Sequence, residues 1–185
     1  MGLMVGLLSA VHSAQATVNV GDQAPAFISK SVNGIGGFTL TAHKGKKPVL
    51  VNILNTWCGP CKWETPALVR MYAKYKSQIE FVTVVTPWRN DSVEKANKFV
   101  KNYNVPWMVV FDEGGSITDL YDVEGVPTNC VVGKDGKVLF YMAGGLVESS
   151  MATIFDAAVK GEAPKLEPRP VEKKVETTPV IVTPK

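Results

Sequence analysis

Two cysteines stand three positions apart in Cys58-Gly59-Pro60-Cys61, and that spacing suits two chemistries. The thiols can close a small disulfide ring and exchange it with other disulfides. Their thiolates can equally supply half of a zinc site or a copper-carrier loop. The segment before the pair, Pro48 to Leu54 (PVLVNIL), is almost continuously apolar, as a strand buried on both faces reads. The segment after it carries Leu68, Met71, Tyr72 and Tyr75 at helical spacing. Cys58 therefore falls at a helix start, where unpaired backbone N–H groups and the positive end of the helix dipole favour a thiolate. The thiolate is the nucleophile in disulfide exchange, so this placement favours exchange. Pro60 fits a first helical turn, where its missing N–H costs nothing. Pro66 falls further in and is expected to kink the helix.

Several neighbours bear on that chemistry. Glu64 follows Cys61 by three positions and projects from the same side of the helix. Partly desolvated near the sulfurs, it would have a raised pKa and could relay protons; the other reading is a solvated surface carboxylate. Asn52, inside the apolar strand, reads as a buried amide with satisfied hydrogen bonds. Trp57 flanks Cys58 and offers apolar area to a partner chain; Trp63 does the same or packs into the core. Val126-Pro127-Thr128 marks a loop before a strand, with Thr128 either a plain strand residue or part of a substrate groove. Cys130 lies in that apolar strand and reads as a small hydrophobe.

The elements that position these residues alternate. A short strand is expected at Phe38–Thr41, further strands at Glu80–Thr86 and Trp107–Phe111, and a helix over Asp91–Asn104 capped by Asp91 or Ser92, with Val93, Ala96, Asn97 and Val100 on its packed side. Ser116–Val123 reads as a short helix. Asn129–Val132 and Val138–Met142 form a hairpin about Lys134-Asp135-Gly136-Lys137, and a helix over Glu148–Lys160 closes the domain. Alternation followed by a hairpin implies an α/β fold: a central mixed sheet flanked by helices on both faces.

Residues 1–16 are expected to be a secretory signal peptide. Met1–Val11 is apolar and too short to span a bilayer, and Ala14-Gln15-Ala16 offers a small-x-small cleavage site after Ala16. No Lys or Arg precedes the apolar run, so an uncleaved membrane anchor is the alternative. The domain is expected to span 17–160. Residues 161–185, rich in Pro, Glu and Lys, are expected to be a disordered tail. A net charge of +3 without a basic block interleaved with aromatics argues against nucleic-acid binding. With three cysteines and a lone His43 outside the leader, no four-ligand metal set is evident.

Trp57-Cys58-Gly59-Pro60-Cys61 resembles the active-site signature of thioredoxins, and Val126-Pro127-Thr128 resembles their cis-proline loop. Gly21-Asp22-Gln23-Ala24-Pro25-Ala26-Phe27, the pattern that places Glu64 and Pro66 after the cysteines, and the segment Asp91–Val105 resemble the TlpA/ResA-like extracytoplasmic branch. The resemblance covers about residues 19–160. It implies a thioredoxin fold with an inserted central helix and strand, and a thiol-disulfide oxidoreductase needing no cofactor. Cys58 and Cys61 would be catalytic with Glu64 as proton relay. Trp57, Gly59, Pro60, Val126, Pro127 and Thr128 would bind substrate, with Asn52 and Pro66 structural beside them. Asn52 stands where many thioredoxins keep an ionisable Asp. The implied partners are proteins with disulfides, for example in cytochrome c maturation, and a membrane electron-donor thiol-disulfide protein; a monomer is expected. Gly-Pro between the cysteines is the dipeptide of strongly reducing thioredoxins and points to a reductase. A metal- or haem-handling chaperone using Cys58, Cys61 and Cys130 is the alternative. A peroxiredoxin-like peroxidase is a weaker one, because Asn55 stands where that family places Thr.

Overall fold

A computed structural model describes residues 18–166; the expected leader, and the expected tail beyond residue 166, lie outside the described residues. The elements in chain order are β1 (Ile28–Lys30), β2 (Gly37–Thr39), β3 (Val49–Leu54), α1 (Gly59–Tyr75), β4 (Glu80–Val85), α2 (Val93–Tyr103), β5 (Met108–Phe111), α3 (Ser116–Leu120), β6 (Thr128–Val132), β7 (Val138–Ala143) and α4 (Glu148–Lys160). The five-stranded sheet has the order β5-β4-β3-β6-β7, with β3, β4 and β5 parallel and β6 and β7 antiparallel. β1 and β2 form a separate hairpin.

β3 is central and all six of its residues are buried, as its unbroken apolar run requires. Its alternate side chains serve two cores. Leu50 and Leu54 face a cluster with Leu68, Met71 and Tyr75 of α1, Phe99 of α2 and Ile154 and Phe155 of α4. Val49, Val51 and Ile53 face the other side, covered by Ile117 of α3, Tyr121, and Phe27 and Phe38 from the N-terminal hairpin region. Three helices thus cover one face, whereas a single short helix and a hairpin cover the other. Phe81 of β4 illustrates the first core: it is fully buried and meets Tyr72 and Phe155 edge-on at 5.3 and 5.5 Å. Burying such a ring contributes about 1.5–3 kcal/mol.

Two local expectations are corrected. The strand at Phe38 stops at Thr39, and Leu40–His43 forms a 3-10 turn that buries Leu40 before the chain reverses at Gly45 (φ 77°) to enter β3. α1 runs through Pro66 as one element. On α2 the packed stripe is Ala96 and Phe99 rather than Val93 and Asn97; Val93 is 47% exposed. Ser92 alone caps α2, its Oγ accepting from Lys95 N–H at 3.3 Å. Phe99 is buried in the core, where it pairs with Tyr103 at 4.6 Å.

Candidate active site

The end of β3 delivers the chain into a tight turn, in which Cys58 N–H donates to Asn55 O at 3.2 Å. Cys58 is the N-cap of α1, with extended backbone angles (φ −66°, ψ 121°), and its sulfur accepts from Cys61 N–H at 3.1 Å. An oxygen usually fills this role by taking an orphan helix donor; here the sulfur takes it, so the same N–H is aimed at a Cys58 thiolate when the pair is reduced. Cys58 and Cys61 form a disulfide with Cα atoms 5.3 Å apart. Cys58 is 3% exposed and Cys61 fully buried, so an approaching group reaches Cys58 first.

The cis-proline loop lies against the pair. The Val126–Pro127 peptide is cis, and the Val126 carbonyl lies 3.5 Å from Cys58 Sγ. Thr128 is buried, and its hydroxyl donates to Gly125 O at 2.6 Å, bracing the loop from beneath. Gly59 and Pro60 are exposed at the rim. Trp57 is half-exposed but fixed: its indole N–H donates to Trp88 O at 3.2 Å, and the Arg89 guanidinium sits 4.6 Å from its ring centre. Trp63 is exposed, not a core residue, and a side chain at Gly145 would meet its ring at 3.4 Å. Pro66 is exposed on α1.

Glu64 is not a surface carboxylate. It is 1% exposed beneath the motif. Oε1 accepts from Asn129 Nδ2 and Leu146 N–H, both at 2.8 Å, and Oε2 accepts from Asn52 Nδ2 at 3.3 Å. Burial pushes its pKa up to about 7, against the lowering effect of those three donors. A carboxyl near 7 can exist in either form at neutral pH, as a proton relay requires. Asn52 is the satisfied buried amide expected: it also donates to Asn129 Oδ1 at 2.9 Å and accepts from Thr83 Oγ1 at 3.3 Å.

Cys130 lies in the core cluster on the opposite face of the sheet from Cys58 and Cys61. It is a free, fully buried thiol, and burial pushes its pKa up to about 12. The three thiols do not converge, so the ligand set of the chaperone reading is not assembled.

Sequence reasoning missed Asn129 and Asp91. Asn129 sits opposite Asn52 in the β3–β6 register. Two amides breaking two apolar strands at matching positions were the available signal. Asp91 is nearly buried and does not cap α2; it reaches Asn55 and Thr56 just before the motif.

The model of the AhpC/TSA family matches residues 20–141. The chain belongs to this family. Among its relatives, the thiol-disulfide oxidoreductase ResA of Bacillus subtilis (strain 168) is 32% identical over 157 residues, covering 84% of this chain and 85% of the relative. The protein of the same name from Bacillus cereus is 33% identical over 134 residues, covering 72% of this chain and 75% of the relative. The crystal structure of a protein assigned as thiol:disulfide interchange protein DsbE from Chlorobium tepidum superposes with a TM-score of 0.70 at 29% identity, covering 77% of this chain and 99% of that one. The thioredoxin-like fold expected from the motif, with its mixed sheet, is the fold of this AhpC/TSA protein.

Proposed function

We propose that this AhpC/TSA protein is a thiol-disulfide oxidoreductase that reduces protein disulfides outside the cytoplasm. The observation that carries the reading is the capping sulfur of Cys58, bonded to Cys61 and set against the Val126 carbonyl. In the reduced protein, Cys58 thiolate attacks one sulfur of a substrate disulfide. A Cys58–substrate bond forms, and the other substrate sulfur leaves as a thiolate that takes a proton. Cys61 then attacks Cys58. The mixed disulfide breaks, the substrate departs with both sulfurs reduced, and the Cys58–Cys61 disulfide remains. Two electrons have passed to the substrate, and a second dithiol protein, at the membrane, must return them.

Each neighbour has a part in this reading. The Cys61 N–H and the α1 dipole stabilise the Cys58 thiolate. Glu64 exchanges the proton that Cys61 gives up and regains. Trp57, Gly59, Pro60, Val126 and Pro127 form the face that meets substrate, with Thr128, Asn52 and Pro66 supporting it. No helix among the described residues is long and apolar enough to cross a membrane; an extracytoplasmic location rests on the leader-like residues 1–16 and on the ResA and DsbE relatives. Disulfide-bearing proteins of that compartment, apocytochrome c among them, are the substrate class. Insulin reduction in the presence of a dithiol donor, together with the midpoint potential of the Cys58–Cys61 pair, tests the reading. A turnover that Cys58→Ser abolishes and a potential in the reducing range of about −270 mV support it. A potential near −120 mV would make the protein an oxidant instead.

A further inference from the structure

We infer that Asp91 is a positioning residue for the nucleophile: from outside the motif, it pins the turn that delivers Cys58 to the start of α1. The inference rests on the oxidoreductase reading and extends it to a residue with no part in the exchange chemistry itself.

Asp91 follows a turn, Trp88–Asn90, in which Arg89 (φ 52°) and Asn90 (φ 60°) are both left-handed. Two consecutive non-glycine residues in that region are uncommon, and such a conformation persists only where the surroundings over-determine it. What surrounds this turn is the segment Asn55–Trp57. Asp91 Oδ2 accepts from Thr56 N–H at 2.7 Å and from Asn55 Nδ2 at 3.1 Å, and Oδ1 accepts from Thr56 Oγ1 at 2.5 Å. Asn55 Nδ2 also contacts the carbonyls of Thr86 (3.0 Å) and Trp88 (3.4 Å), while Asn55 Oδ1 accepts from Thr86 Oγ1 at 2.9 Å. Trp57 completes the set through Trp88 O and Arg89.

The consequence follows from chain connectivity. Asn55 O receives the Cys58 N–H and so closes the turn that precedes α1. Asp91 holds the first two residues of that turn by one backbone and two side-chain donors. It thereby fixes how Cys58 meets the Cys61 N–H. Asp91 is 7% exposed, and the donors that hold its carboxylate, Thr56 N–H, Thr56 Oγ1 and Asn55 Nδ2, are neutral. Helix capping does not account for it, because Ser92 fills that role. A carboxylate accepting three hydrogen bonds is a stronger clamp than a neutral acceptor.

Thr56→Val is the cleanest test, since it keeps shape and backbone N–H and removes only the hydroxyl donor. Its readouts are kcat/KM in insulin reduction and the pH profile of Cys58 alkylation by iodoacetamide. The expected result is a fall in kcat/KM of about tenfold, the loss of one charge-assisted hydrogen bond. The alkylation profile should move to higher pH, because a loosened turn aims the Cys61 N–H less well. Thr56→Ser, which keeps the hydroxyl, should restore the profile. Asp91→Asn should lower kcat/KM further than Thr56→Val. A loss of stability alone would reduce the folded fraction without moving the profile. A Thr56→Val protein with the parent's kcat/KM and profile would overturn the inference, whether or not Asp91→Asn folds. A parent protein without disulfide reductase activity would instead overturn the functional reading beneath it.

Discussion

Asn52 of β3 donates its side-chain amide to Glu64 of α1 at 3.3 Å. The amide at this strand position therefore orients an acid from the helix beneath the disulfide. The ionisable group of the site enters from α1, and the strand supplies only donors to hold it.

That arrangement predicts what Glu64→Gln does to the thiols. A negative charge near a thiolate opposes its ionisation, so removing the charge should lower the pKa of the nearer cysteine by about one unit at most. Turnover should nevertheless fall, because the variant cannot carry a proton to or from the departing sulfur. Thiolate absorbance against pH reads the first effect and steady-state insulin reduction the second. Parent-like values in both would leave Glu64 with a packing role only.

Stability carries a separate signature of the same residue. Glu64 rises from 4.5 in the unfolded chain to about 7 when folded. Between those values the native protein holds a proton that the unfolded chain has lost. Its contribution is fully present below about pH 4.5 and is lost as pH rises to 7. The gap corresponds to about 3 kcal/mol. Urea unfolding of the oxidised protein at pH 4.5 and pH 7.5 should show this loss in the parent, whereas the difference between the two pH values should shrink in Glu64→Gln. An equal pH dependence in both proteins would contradict the burial-driven shift.

Cys130 should be dispensable for chemistry. It is buried on the far face of the sheet, where burial raises its pKa to about 12 and holds it as a neutral thiol. Cys130→Ala should keep insulin reduction at the parent level and cost about 1–2 kcal/mol of stability from the small cavity left behind. A folded variant with lost activity would show that a third thiol takes part.

The parts of the site that were legible in the sequence are those with local signals. The run Pro48–Leu54, the Cys58–Cys61 spacing and the apolar positions of α1 lie within 28 residues of one another, and together they place the disulfide at a strand-to-helix junction. The burial of Glu64 was not legible in the same way. It depends on Asn129, 65 residues later, and on the Leu146 N–H, 82 residues later. The contacts of Asp91 were not legible for a related reason: an Asp before a helix suits a cap as well as Ser92 does, and its partners Asn55 and Thr56 lie 36 and 35 residues earlier. The packed face of α2 was likewise set by distant contacts, because Ala96 and Phe99 pack into the core shared with α1 and α4.

The central claim is that Cys58 attacks and Cys61 resolves, and trapping tests it most directly. The reduced Cys61→Ser and Cys58→Ser proteins would each be mixed with a disulfide-bonded peptide, quenched with acid and weighed intact by mass spectrometry without reductant. With the resolving thiol gone, Cys61→Ser should accumulate a protein–peptide adduct that dithiothreitol releases, and peptide mapping should place the bond at Cys58. Cys58→Ser should form little or none, because Cys61 is fully buried. Accumulation in Cys58→Ser with none in Cys61→Ser would contradict the assignment of the two sulfurs.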